Sequence, residues 1–129
     1  MAEETVAERY PATPDEAWAM VGDFGGIGSV FTGVEDVVVV DDTRAFSLMG
    51  MRITERLVSR DEAVRSITYA VIDGVPGVQS HEATIRVEPV AQGCEISWSV
   101  ATDPEAAAPL FADTYRQALI SLHGALGGS

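Results

Sequence analysis

Between residues 34 and 102 the chain is a series of six strand-like segments joined by short turns, and one long amphipathic helix follows them. That order is restrictive. The segments span residues 34–41, 44–49, 52–60, 64–72, 78–88 and 94–102. Turn-forming residues separate them, among them Asp61-Glu62-Ala63 and Asp73-Gly74-Val75-Pro76-Gly77. Links this short join neighbours in space, which predicts an antiparallel meander. A sheet of that length facing a single late helix must curl to cover it, and the curl leaves room for a hollow between them. A small-molecule pocket is therefore expected.

The flanking segments complete an α+β chain. Residues 4–10 alternate weakly and read as a first strand ended by Pro11, giving seven strands in all. Thr13-Pro14-Asp15-Glu16 then starts a helix: Thr13 caps, Pro14 suits the first helical position, and Glu16 completes a capping box. It turns Trp18 and Val21 inward, with Phe24 just past Gly22. Gly25, Gly26 and Gly28 break it, and a second short helix is expected around residues 27–31. The closing helix begins near a second capping box, Thr102-Asp103-Pro104-Glu105, and runs to about Leu126. Pro109 costs an internal hydrogen bond unless it lies in the first turn, so regular helix is expected from near Ala107. Its predicted apolar stripe is Leu110, Phe111, Thr114, Tyr115, Ala118, Leu119, Leu122 and Leu126. Asp113, Arg116 and Gln117 face water, and Gly127-Gly128-Ser129 reads as a terminator.

Composition narrows the function. The 129 residues suit one domain, 1–129, with a core that needs no staples. Cys94 is the single cysteine, which excludes an internal disulfide and fits a reducing compartment. Residues 1–5 are acidic and lack the basic and apolar regions of a secretory signal, and no apolar run approaches the roughly 20 residues of a membrane span. The cytoplasm is the expected location. A net charge of −12 repels nucleic acid and anionic lipid. All eight basic residues are arginine, so no Schiff-base lysine is available.

Strand alternation sorts the faces. Cys94, Ile96, Trp98 and Val100 share one face; His81, Ala83, Ile85 and Val87 share the matching face of the preceding strand. Ile67, Tyr69 and Val71 point inward before that. On 52–60 the outward set is Arg52, Arg56 and Arg60, leaving Ile53, Glu55 and Leu57 inside. Three polar groups thus fall on apolar faces: Glu55, Tyr69 and His81. The loops 61–63 and 73–77 set Glu55 opposite Tyr69 and Tyr69 opposite His81, in one row across the sheet; a slip of two residues makes them diagonal neighbours. An acid, a phenol and an imidazole in a row form either a proton-transfer site or a ladder of mutually satisfied polar groups. For Glu55 alone, the competing reading is a rim position or a salt bridge, with Arg44 a candidate partner.

Other chemistry is sparse. No cysteine pair, HExxH or His/Asp cluster suggests a metal, and the glycines at 22–28 lack phosphate-cradle spacing, so neither metal nor cofactor is expected. Cys94 reads as a buried thiol, and His123 suits the carbonyl end of a helix. Trp18, Phe24, Phe31, Phe46, Trp98, Phe111 and Tyr115 are the candidate ligand-binding aromatics.

Several of these pieces carry a resemblance: Ala17-Trp18, Asp23-Phe24-Gly25-Gly26, Ile53-Thr54-Glu55-Arg56-Leu57, Thr68-Tyr69, Ala83-Thr84-Ile85 and Ser97-Trp98. Together they resemble the polyketide cyclase/dehydrase-like branch of the START/Bet v 1 (SRPBCC) superfamily. Val30 stands where relatives often carry tryptophan, and His81 where tyrosine is common. The resemblance implies a helix-grip fold, with seven antiparallel strands wrapped around the C-terminal helix and two short helices after the first strand. It also implies binding of a hydrophobic small molecule, lipid or polyketide-like, in an internal cavity. The alternative is a cyclase or dehydratase in which Glu55, Tyr69 and His81 move protons. Either reading has a small-molecule partner, no nucleic acid and no membrane span, in a monomer or homodimer.

Overall fold

A computed structural model describes residues 3–127 of the chain. The strands are β1 (Glu3–Tyr10), β2 (Glu35–Val40), β3 (Thr43–Leu48), β4 (Met51–Asp61), β5 (Ser66–Asp73), β6 (Ser80–Val90) and β7 (Gly93–Asp103). Between β1 and β2 lie α1 (Pro14–Val21) and a 3-10 helix (Phe24–Ser29); after β7 come a 3-10 turn (Glu105–Ala107), α2 (Ala108–Ser121) and α3 (His123–Leu126). The strands form one sheet in the order β1-β7-β6-β5-β4-β3-β2, antiparallel throughout. This is the predicted meander, with β1 returning to pair with β7. Wrapped around α2, it is a helix-grip fold.

Local chemistry explains the helix ends. At α1 the capping box is reciprocal: the Glu16 N–H donates to Thr13 Oγ1 at 3.1 Å, and the Thr13 N–H to Glu16 Oε1 at 3.1 Å. The second expected box does not form. Thr102 is buried at the end of β7, and its hydroxyl donates to the Pro104 carbonyl at 2.7 Å instead of capping. The chain then enters α2 through the 3-10 turn, which leaves Pro109 in the first turn of the regular helix, where its missing N–H does no harm.

The predicted stripe of α2 needs one correction. Leu110 is 69% exposed, and Ala108 and Ala112 are buried in its place. With the helix starting at Ala108, the inward positions are 108, 112, 115, 119 and 122, a spacing of about 3.6 residues; position 110 lies near the opposite side. The helix expected to continue to about Leu126 divides at Leu122. Gly127 (φ 80°) ends α3 in the left-handed conformation, while Gly128 and Ser129, like Met1 and Ala2, lie outside the described residues. His123 does more than face a helix end. Its Nε2 is 3.5 Å from Glu8 Oε1 and its ring 4.7 Å from Tyr10, and the Tyr10 hydroxyl donates to the Leu119 carbonyl. These contacts fasten the C-terminal helices to β1.

The inward faces fall as the alternation predicts, but both registers differ by two residues. Glu55 pairs with Val71 and Tyr69 with Ala83. The β4–β5 turn is longer than the three residues expected, since Asp61 pairs with Ser66. That tip alone puts β4 out of phase with the inner face; a bulge between Leu57 and Ser59 restores it and returns Glu55 to the interior. At β5–β6 the ladder runs only from Ser66↔Arg86 to Tyr69↔Ala83, and the strands part beyond it. Gly74 (φ 102°) secures the loop they open into. A Cβ there would stand 2.0 Å from the Arg52 carbonyl oxygen, so only glycine permits the approach.

Two apolar clusters result. The larger gathers α1, α2 and the inner faces of β1, β5, β6 and β7. The smaller is built on Ile27, Phe46 and Ile53, beneath the 3-10 helix. Among the described residues no helix is long and apolar enough to cross a membrane.

Candidate functional site

A cavity of about 260 Å³ lies between the two clusters, under the first turns of α2. Its floor is the inner face of β3, β4 and β5, through Phe46, Met51, Ile53, Glu55 and Val71. Phe111, Thr114 and Tyr115 of α2 form the roof, and Phe31 fills one side. The mouth lies between the β3–β4 turn, the β5–β6 loop and the start of α2, where Met49 and Leu110 are 74% and 69% exposed. Apolar walls with few polar groups are the ordinary make-up of a small-molecule site.

One of those polar groups is charged. Glu55 is 5% exposed, and its Oε1 accepts from Arg44 Nε at 2.8 Å, with Arg44 Nη2 2.6 Å away. Arg44 is buried behind the wall: its Nη1 donates to the Phe24 carbonyl at 2.7 Å. Its guanidinium lies 4.2 Å from the Phe24 ring centre and 4.9 Å from that of Tyr69. Burial pushes the Glu55 carboxyl above the usual carboxylate range, and Arg44 opposes it by charge and hydrogen bond. Because an arginine does not give up its proton, a neutral Glu55 would strand a buried cation; the pair stays ionic near neutral pH.

Beside it stands an aromatic group ordered by hydrogen bonds. The Val71 N–H donates to His81 Nδ1 at 3.1 Å, taking the place of the ladder where β5 and β6 part. Nδ1 is therefore an acceptor, so the neutral imidazole carries its proton on Nε2 and donates it to the Tyr115 hydroxyl at 2.8 Å. Trp98 Nε1 donates to the Tyr69 hydroxyl at 3.1 Å. Trp98 also stacks on Tyr115, centroids 4.2 Å apart and planes within 5°. Burial raises both phenols, Tyr69 and Tyr115, well above their ordinary value, and the Glu55 charge adds to it.

Comparison with known families decides where this architecture belongs. Residues 1–126 match the family model described as polyketide cyclase / dehydrase and lipid transport. The chain belongs to this family. Among solved structures the cyclase/dehydrase-family chain is similar to XoxI from Bacillus cereus, with 22% identity, 98% of this chain and 96% of that one covered, and a TM-score of 0.89. It is also similar to Ara h 8.0201, with 12% identity, 97% of each chain covered and a TM-score of 0.77. A third likeness is the di-domain ARO/CYC BexL from the BE-7585A biosynthetic pathway, at 18% identity and a TM-score of 0.78, covering 96% of this chain and 48% of that one. Similarity at these identities describes the fold. No curated protein matches.

Measured against the cavity, the candidate residues of this family member divide. Glu55, Phe31, Phe46, Phe111 and Tyr115 line it. Tyr69, His81 and Trp98 stand behind the wall and hold Tyr115, while Phe24 lies under Arg44. Trp18 points elsewhere: its Nε1 donates to Glu62 at 2.6 Å and Arg60 covers its ring. The row of Glu55, Tyr69 and His81 is diagonal, and the imidazole of His81 sits 5.8 Å from Tyr69. Neither ring nitrogen of His81 offers a free lone pair to a molecule in the cavity. The sequence reading missed Met49, Met51, Val75, Pro76 and Thr114 as lining residues. Its available signal was the run Leu48-Met49-Gly50-Met51, since flexible thioethers suit an adaptable apolar wall.

His81 in this family member supplies a pH test. Burial holds its imidazole down at about 4, against an ordinary 6.5. The unfolded chain therefore binds the extra proton between those values, so stability falls as pH drops through about 6.5 toward 4 and is level above. The loss from this group is about 3 kcal/mol. Glu55, raised by burial, acts in the opposite sense. Urea midpoints from pH 7.5 to 4.5 for wild type and His81→Gln isolate the histidine. The difference between the two should shrink toward acid; a constant difference would contradict the assignment.

Proposed function

We propose that the chain is a single domain that binds a hydrophobic small molecule, lipid or polyketide-like, in the cavity beneath α2. The observation that carries this reading is an apolar hollow of about 260 Å³ whose wall includes a buried carboxylate and a phenol. Removing an apolar ligand of that size from water supplies affinity at about 25 cal/mol per Å² of buried apolar surface. The polar groups then fix its orientation. The neutral fluorophore N-phenyl-1-naphthylamine should bind one per chain, with enhanced and blue-shifted emission. Emission unchanged by saturating protein would refute the reading.

A cyclase or dehydratase is the second reading, supported by the family description and by Glu55 beside Tyr115. The hydrogen-bonded state of His81 argues against its serving as the base, and leaves Glu55 to take a proton. Binding ranks first because it asks nothing of His81.

A further inference from the structure

We infer that the cavity selects neutral ligands bearing a hydrogen-bond donor, such as an alcohol, phenol or amide N–H, and rejects carboxylates, through the free oxygen of Glu55. The inference rests on the binding reading above and adds its chemical selectivity.

The geometry at Glu55 is asymmetric. Both close contacts from Arg44 fall on Oε1. No hydrogen bond reaches Oε2 among the described residues. Yet Oε2 is not sealed: among the described side chains, the buried polar atom without a partner is His123 Nδ1, far from this wall. Glu55 lines the cavity and Arg44 does not, so the opening Oε2 retains is to the cavity. An unpartnered acceptor on a carboxylate this deeply buried is costly until a donor reaches it.

Charge sets the second half of the preference. An apolar acid entering the cavity would meet the carboxylate, while the guanidinium of Arg44 is held behind it by Glu55, the Phe24 carbonyl and two rings. Like charges at short range in a low-dielectric wall are strongly unfavourable. Tyr115 adds no second donor to this wall. It accepts from His81 Nε2 and its own hydrogen goes to the Tyr69 hydroxyl, which leaves Glu55 as the polar group a ligand meets. A hydroxyl or amide N–H has the donor that Glu55 lacks; an ether, ester or hydrocarbon has none.

Three naphthalenes of nearly equal shape separate these effects: 2-naphthol, 2-methoxynaphthalene and 2-naphthoate, each competed at pH 7 against bound N-phenyl-1-naphthylamine. Partition from water alone favours the methyl ether. The inference expects 2-naphthol to bind at least about tenfold more tightly than the ether, as a hydrogen bond to a charged group provides, with naphthoate weakest. In the double variant Arg44→Met/Glu55→Leu, which removes acceptor and cation together, the ether should equal or exceed the phenol. Equal binding of ether and phenol to wild type, or naphthoate binding tightest, would overturn the selectivity while leaving the cavity as a binding site. A phenol preference that survives in the double variant would overturn Glu55 as its source. Failure of the fluorophore and all three naphthalenes to bind would overturn the binding reading and this inference together.

Discussion

Arg44→Met is expected to lower the unfolding free energy by about 3–5 kcal/mol, read from urea midpoints at pH 7. The substitution keeps most of the side-chain bulk against the Phe24 and Tyr69 rings, so little of the loss is packing. What it leaves is a carboxylate 5% exposed with no counter-charge, beside the Phe24 carbonyl that Arg44 Nη1 had bonded. Glu55→Leu should be comparably damaging, since it strands the cation. The double variant Arg44→Met/Glu55→Leu should recover most of the loss, because a buried ion pair stabilises little beyond an apolar pair of similar volume. Additive losses in the double variant would show that the pair is not the unit described here.

Trp98→Ala is the second large effect, at about 3–5 kcal/mol. Trp98 is fully buried, stacks on Tyr115, touches Phe31 with centroids 5.4 Å apart, and donates to the Tyr69 hydroxyl. Its removal opens a space in the larger cluster, leaves Tyr69 without its indole donor and frees Tyr115 from its support. Fluorophore affinity should fall along with stability, although Trp98 does not line the cavity. Trp18→Ala offers the contrast: it too should destabilise, but away from Tyr115, and affinity should hold. Equal affinity losses for the two tryptophans would remove the positioning role given to Trp98.

The meander from β2 to β7 and its inner faces were legible because each rests on local signals, while the helix-grip architecture followed from the family resemblance. Alternation of two residues fixed which side of β4 to β7 is buried, and Glu55, Tyr69 and His81 are all interior as alternation implies. Register was not legible. The bulge at Val58 leaves no mark in composition, and the parting of β5 from β6 is made by a side chain, His81, taking a backbone donor. For the same reason the sequence could offer His81 as a base while the folded chain occupies both its nitrogens. The aromatics were harder still. Trp98 and Phe46 have the same apolar, inward signature, yet one backs the wall and the other forms it; what separates them is where the two clusters fail to meet. The Arg44–Glu55 pair was visible as a pairing of opposite charges, but not the one-sided geometry that leaves Oε2 free.

Thr114→Trp should close the cavity beneath α2 to ligand. Thr114 is a half-buried roof residue of α2 whose hydroxyl donates only to the Leu110 carbonyl of its own helix, at 3.3 Å. An indole there would occupy the hollow without replacing any partner in the Arg44–Glu55 or His81–Tyr115 hydrogen bonds. Titration of N-phenyl-1-naphthylamine should show binding weakened by at least about a hundredfold, nearly 3 kcal/mol, while the urea midpoint stays at or above that of wild type. Undiminished binding to this filled variant, with its fold intact, would place the ligand elsewhere and contradict the account.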